Sequence, residues 1–391
     1  MTVSHGQASG NPLKNPGDYL FYSGLSRTDQ ERNHRLVYVN ARFLTQPITG
    51  VQRYALEISR QLSTLMPSIK FVAPPNIIHH EAANILDVEV IGKHTGHVWE
   101  QVDLPIFLKR RNSPLLINLA NTAPLLYGNK VSTLHDIAFE KFPENLSWKF
   151  RTAYQLAIPQ MVKTSLKILT VSEFSKKEIC ATYRIPPQKI SIIPNAVSNS
   201  FQEVLSTATE RYILAVSSIS RQKNFHGLVE AFSLLKQNTH KLYIAGSANK
   251  IFADHDLARK IESDPRIKLL GRVSDEDLIK LYSGADAFIF PSFYEGFGIP
   301  PLEAQACGCP VIVSNAASLP EVCGDSVIYC SPHDAKDIAK KIELLITSPD
   351  LAKALKEKGR ENIRRYSWKT SAENLLKTIK EVHQTTTTQS Q

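Results

Sequence analysis

Two glutamates eight residues apart, Glu295 and Glu303, bracket a bend in the stretch FYEGFGIPPLEAQACGCPVI at positions 293–312. Gly296 and Gly298 give this backbone the freedom to turn and to approach a partner closely. Pro300 and Pro301 suit the first turn of a helix, where a missing N–H costs little. The free amides at that helix mouth then come from Phe297, Gly298 and Ile299, and such amides, together with the helix dipole, form an anion site. The spacing puts Glu303 in the first helical turn and Glu295 on the loop before it. Carboxylates accept paired hydrogen bonds from vicinal hydroxyls, as acids in dinucleotide folds do with ribose. The combination therefore suits a ligand that carries both phosphate and hydroxyls. On this stretch alone a plainer reading stays open, in which Glu303 only favours the helix N-terminus and Glu295 is solvated.

Such residues need strand ends to hold them, and the chain supplies strands at regular intervals. In the first half, apolar runs fall at LVYVNA (36–41), IKFVAP (69–74), LLINLA (115–120), KVSTLHD (130–136), KILTVS (167–172) and ISIIPN (190–195), with helical stretches between several of them. The second half reads YILAVSS (212–218), KLYIAG (241–246), IKLLG (267–271), DAFIFPS (286–292) and CPVIVSN (309–315). After its first strand, Phe225, Leu228, Val229 and Phe232 recur at the spacing of one helix face. Strands alternating with helices predict parallel sheets covered on both faces. The expected fold class is α/β, with two Rossmann-like domains whose sheets face an interdomain cleft, where ligands bind beyond the strand ends. We place a flexible tail at 1–34, a first domain at 35–200, a second at 201–365, a closing helix at 366–382 and a disordered tail at 383–391.

Composition narrows the classes. No apolar run reaches the length of a membrane span, and the N-terminus lacks the pattern of a signal peptide. The five cysteines suggest no disulfide framework. Cys307 and Cys309 lack a second Cys/His pair at metal-ligand spacing and read as small buried residues at a turn. These features predict a cytoplasmic protein. The net charge of +9 is uneven: residues 35–200 hold 19 basic and 11 acidic side chains, whereas residues 201–391 hold 24 and 23. A basic first half suits a phosphorylated substrate or an anionic membrane surface. Nucleic acid is not expected, because no nucleic-acid-binding module is present. No G-x-G-x-x-G follows a strand, which argues against a dinucleotide-dependent dehydrogenase.

The stretch E-G-F-G-I-P-P-L-E, followed by A-Q-A-C-G-C-P-V-I, resembles the E-x7-E signature of the retaining GT-B glycosyltransferases of family 4. The resemblance implies that Glu303 holds the ribose of a nucleotide-sugar, that Glu295 lies near the donor sugar, and that Gly298 and Ile299 lie near the distal phosphate. VSSISRQKN (216–224) is similar to the family's basic loop at a strand end, with Lys223, and Arg221 in place of an adjacent arginine, facing the pyrophosphate. Two cations there would offset the charge of a departing diphosphate. LGRVSDEDL (270–278) resembles the segment whose backbone meets the base, which assigns that contact to Arg272 and Val273. TQPITGVQRYALEI (45–58) resembles the opening loop, with Gly50 where the phosphates pass. STLHDIAFEKFPE (132–144) resembles the His-Asp strand end of the mannosyltransferase-like branch, with His135 near the transferred sugar and Asp136 orienting its ring. GHVWEQVDLP (96–105), TVSEFSKKEI (170–179), IIPNAV (192–197) and RRYSWKTSAENLL (364–376) extend the resemblance over about residues 36–380.

The resemblance implies transfer of a hexose with retention, the best match being mannose from GDP-mannose, to a glycan or lipid-linked saccharide. It implies no cofactor and no metal. The D-x-D spellings at 254–256 and 275–277 read instead as helix starts, Ser274 and Asp277 forming a cap. A lipid-linked acceptor and the basic first half together predict association with the inner face of the cytoplasmic membrane. The rival expectations are a nucleotide-sugar epimerase that needs no acceptor, and a catalytically silent nucleotide-sugar-binding subunit.

Overall fold

The computed structural model describes residues 36–145, 148–206, 208–236, 239–246 and 255–389; the tail expected at 1–34 lies outside them. Seven strands form the first sheet: β1 (Val37–Asn40), β2 (Lys70–Ala73), β3 (Val88–Val90), β4 (Leu115–Asn118), β5 (Lys130–Thr133), β6 (Lys167–Thr170) and β7 (Ile190–Ile192). Six form the second: β8 (Tyr212–Val216), β9 (Lys241–Ala245), β10 (Ile267–Gly271), β11 (Ala287–Phe290), β12 (Val311–Ser314) and β13 (Ile328–Cys330). Their orders are β3-β2-β1-β4-β5-β6-β7 and β10-β9-β8-β11-β12-β13, and every pairing is parallel. Strand order therefore reverses beside β1 and again beside β8, and such switch points open a crevice at the carboxyl ends of the strands.

Two strands were not expected from the sequence, β3 and β13. Both are edge strands of three residues, and neither is wholly buried. A central strand buried on both faces announces itself by a continuous apolar run; a short edge strand does not.

Seven helices position the residues discussed below: α1 (Gly50–Leu65), α2 (Trp148–Thr164), α3 (Glu173–Tyr183), α4 (Phe225–Ser233), α5 (Asp275–Gly284), α6 (Ile299–Ala306) and α7 (Trp368–Gln389). The α4 periodicity is realised, with Phe225, Leu228, Val229 and Phe232 buried. Helix α7 lies on α1: the Trp368 and Tyr54 rings are 6.1 Å apart, and Ser371 Oγ donates to the Pro194 carbonyl at 2.7 Å. One apolar core runs through both domains and includes Ile58 and Leu62 of α1, Leu302 of α6, and Leu375 and Ile379 of α7. The disordered tail expected from 383 is corrected, because α7 continues to Gln389. Thr385 Oγ1 donates to the Glu381 carbonyl at 2.9 Å, so this hydroxyl finds its partner within the helix. No helix among the described residues is long and apolar enough to cross a membrane.

Candidate active site

Between the domains, at the carboxyl ends of both sheets, lies a cavity of about 680 Å³. Glu295, Glu303, Phe297, Gly298, Ile299, Lys223, Arg272, Val273, Gly50, His135 and Asp136 all line it. The sequence scattered these residues over 254 positions, and the two sheets bring them together.

The loop before α6 is held from behind. Ser318 Oγ donates to the carbonyls of Glu295 at 2.9 Å and Phe297 at 3.1 Å. Across the domain boundary, Ser172 and Ser175 Oγ donate to the Gly296 carbonyl at 2.7 and 3.1 Å. With three successive carbonyls engaged, the loop is fixed in one shape. Gly298 caps α6 with φ of +96°, and a Cβ there would lie 2.6 Å from Leu319 Cδ2, so only glycine fits. As N-cap and first helical residue, Gly298 and Ile299 have amides without intrahelical acceptors. Glu303 is not in the first turn, as the spacing suggested, but one turn further in, four residues after Ile299 and on the same cavity-facing side. The two prolines occupy the turn that the sequence reading gave to it.

The electrostatics separate the acidic side chains. Glu303 is buried and accepts from Tyr282 Oη at 3.3 Å. Burial pushes its pKa up to about 7; nearby Arg53 pulls it down and Asp275 pushes it up. Glu295 is ion-paired with Lys223, Oε1 to Nζ at 2.5 Å. Asp136 is raised from the usual carboxylate range, chiefly by burial, with Glu295 adding to the effect.

Two expectations need correction. Arg221 is exposed and does not line the cavity. It shares the 3-10 turn Arg221–Lys223 with Lys223, and residues two apart in such a turn point about 120° away from each other. Asp136 does not orient the His135 ring: its Oδ1 accepts from the Ala138 amide at 2.9 Å. The ring is held instead by the Leu119 carbonyl, 3.2 Å from Nε2, and by Tyr54, edge-on at 4.7 Å. His135 is neutral, because burial lowers its pKa to about 4 despite the Leu119 carbonyl. With Nε2–H donating to that carbonyl, Nδ1 keeps a lone pair for a hydroxyl.

Sequence reasoning missed several residues of the cavity wall. Gly246 follows β9 with φ of +146°, and a Cβ there would meet the Ser217 carbonyl oxygen at 1.9 Å; the glycine ending KLYIAG was the available signal. Arg53 of α1 reaches Asp275 at the start of α5, Nη2 to Oδ2 at 2.8 Å, and spans the mouth between domains. That pair joins residues 222 positions apart, and nothing local marks it. Asp275 is thus committed to Arg53, while Ser274 caps α5, its Oγ accepting from the Asp277 amide at 3.1 Å. Cys307 and Cys309 are free and buried, and burial pushes the Cys307 thiol up to about 12.

The two halves of this cavity match two family models: residues 48–201 match Glycosyltransferase Family 4, and residues 197–362 match Glycosyl transferases group 1. The O-antigen chain mannosyltransferase B of Escherichia coli is 29% identical over 364 residues, covering 82% of this chain and 93% of that protein. The O-antigen chain mannosyltransferase RfbU of Salmonella typhimurium is 31% identical, covering 63% of this chain and 69% of its own length. The crystal structure of HepE from Anabaena with UDP and glucose superposes with a TM-score of 0.70 at 17% identity, over 88% of this chain and 99% of that one. WaaG, a glycosyltransferase involved in lipopolysaccharide biosynthesis, gives 0.65 at 16% identity over 87% and 98%. Because similarity of this extent runs through both walls of the cleft, the chain belongs to family 4 of the GT-B glycosyltransferases, in its mannosyltransferase-like branch.

Proposed function

We propose that this glycosyltransferase is retaining and moves mannose from GDP-mannose to a hydroxyl of a saccharide or lipid-linked saccharide acceptor. The observation that carries the reading is the Lys223–Glu295 pair at 2.5 Å, set in the cavity between the mouth of α6 and His135. The mannosyltransferase relatives support the sugar, and assembly of an O-antigen-like polysaccharide is the setting they suggest. The UDP-bound HepE structure supports a nucleoside diphosphate in the cleft.

Each group then has a task. Breaking the anomeric C–O bond leaves positive charge on the sugar and negative charge on the diphosphate. Lys223 and the amides of Gly298 and Ile299 stabilise the latter, so the proposed reaction uses no metal and no cofactor. Glu303, ionised, accepts the two ribose hydroxyls, and the backbone at Arg272 and Val273 meets the base. Glu295 sits beside the sugar, positioned by Lys223, and His135 Nδ1 accepts from a sugar hydroxyl. The acceptor oxygen attacks from the face the diphosphate leaves, and a donor phosphate oxygen takes its proton, so configuration is kept. This differs from glycosidases, where two carboxylates flank the bond. Closure of the two domains over the donor would exclude water and protect it from hydrolysis. We place the enzyme in the cytoplasm, at the inner face of the cytoplasmic membrane, where its basic first half meets an anionic surface.

The test is nucleoside diphosphate release over a donor panel, with and without acceptor saccharides, and NMR of the product anomer. GDP release from GDP-mannose that depends on acceptor and yields a retained anomer is expected. Acceptor-independent conversion would mark an epimerase, and binding without turnover a silent subunit.

A further inference from the structure

A second cavity, of about 210 Å³, opens in the first domain between α2 and the helical segment Trp99–Asp103, which has the wide π form. Its floor is Ala123, Ile158 and Met161, each 1% exposed. Its polar neighbours are turned into the wall. Gln101 Nε2 donates to the Ala123 carbonyl at 3.0 Å, and Gln101 Oε1 accepts from the Leu125 amide at 2.9 Å. Thr122 Oγ1 accepts from Arg42 Nη2 at 2.7 Å, and His97 Nδ1 lies 3.4 Å from Glu100 Oε2. What faces the hollow is carbon. Sugar hydroxyls left without partners there would be costly, whereas apolar cavities of about 150 Å³ accept hydrocarbon guests.

The hollow adjoins the active site through one loop. Leu119 and Asn121 hold His135, while Thr122, Ala123 and Leu125 line the apolar cavity. Thr122 lies three positions after Leu119, a reach of at most about 11 Å. Arg151 is exposed and shares a face of α2 with Tyr154 and Ile158 of the cavity wall. It has no ion-pair partner among the described residues, so its charge is available to an anion at the cavity mouth. A hydrocarbon pocket, an exposed cation on the same helix face and a neighbouring sugar site are the three features that such a ligand needs.

We propose that this cavity is an acceptor subsite that takes the hydrocarbon of an amphiphilic acceptor, a saccharide linked through phosphate to a lipid, while its sugar reaches His135. The proposal rests on the transferase reading above and names its acceptor class. π-Helical turns are frequent at functional sites, and this one places Gln101.

The test uses the full chain labelled with 13C-methyl methionine, which holds only Met1, Met66 and Met161. Octyl α-mannoside, kept below micelle formation, is expected to shift the Met161 signal (assigned with Met161→Leu), and methyl α-mannoside is not. As acceptor, the octyl compound is expected to show kcat/KM at least about tenfold above the methyl one, since burying even two methylenes gives that factor. Ala157→Ile, which narrows the cavity, should bring the ratio toward one, and Arg151→Gln should weaken octyl phosphate several-fold. A Met161 signal indifferent to octyl mannoside, or equally responsive to methyl mannoside, would overturn the subsite. So would a response to phospholipid vesicles alone, which would mark bilayer docking instead. Because the methyl shift needs no turnover, a shift without any nucleotide release would leave the subsite standing and sink the transferase reading.

Discussion

Glu100 of the first domain and Glu303 of the second are both buried, and the two differ in how completely they are partnered. Glu100, in the first domain, accepts from Asn40 Nδ2 at 2.8 Å and Arg42 Nε at 3.2 Å. Burial alone would raise its pKa, but His97, Arg42, Thr122 and Asn40 together hold it below the usual range. Glu303, in the second, has Tyr282 as its hydrogen-bonding side chain and is raised to about 7. A buried acid with a full set of donors is part of the scaffold; one short of donors is poised for a ligand that brings them.

Substitutions at the two acids should therefore act in opposite directions. The largest effect is expected from Glu100→Gln, which leaves Arg42 buried without its counter-ion. Unfolding in urea should show a loss of roughly 3–5 kcal/mol, and a change below 1 kcal/mol would refute the scaffold role. Glu303→Gln should instead stabilise the ligand-free protein at pH 8. A carboxyl whose folded pKa lies above its unfolded value loses stability as pH rises between the two, here from about 4.5 to about 7, so removing the charge should return on the order of 2–3 kcal/mol.

The same variant should lose donor affinity, by about 10- to 100-fold in calorimetric titration with GDP-mannose, because hydrogen bonds to a charged group are worth roughly 1.5–3 kcal/mol. In the native protein, hydroxyl donors favour the ionised form, so affinity should fall as pH drops below about 7. Between pH 7 and pH 6 the weakening should be about fivefold, and Glu303→Gln should abolish the pH dependence. An unchanged profile would place the ribose elsewhere. The smallest effect concerns Arg53 and Asp275, which neighbour Glu303 but are partly exposed. A double-mutant cycle should give a coupling of about 1 kcal/mol or less, read as a few-fold change in donor affinity that the pair Arg53→Asp with Asp275→Arg restores.

This contrast also explains what could be read from the sequence. The cavity wall at the mouth of α6 was legible because its residues are neighbours in the chain: Gly298, Ile299 and Glu303 sit at and on one short helix whose prolines and glycines announce it. Central strands were legible for a similar reason, being continuous apolar runs, while the edge strands β3 and β13 had too few buried residues to register. Glu100 lay in plain view within GHVWEQVDLP, yet its partners Asn40 and Arg42 stand about 60 positions away. Arg53 with Asp275 is farther still. Arg221 and Asp136 failed for a different reason, since sequence gives neighbours but not directions: a tight turn sends Arg221 outward, and a local amide takes the carboxylate expected at the imidazole.

The rings of Trp368, Tyr54 and His135 follow one another at 6.1 and 4.7 Å. The far end of the polypeptide is thereby a buttress for the imidazole in the catalytic crevice. Cutting the chain ahead of Trp368 would remove more than a terminal appendage: it would loosen the tyrosine against which His135 rests, and the damage would surface in sugar handling before it surfaced in nucleotide binding.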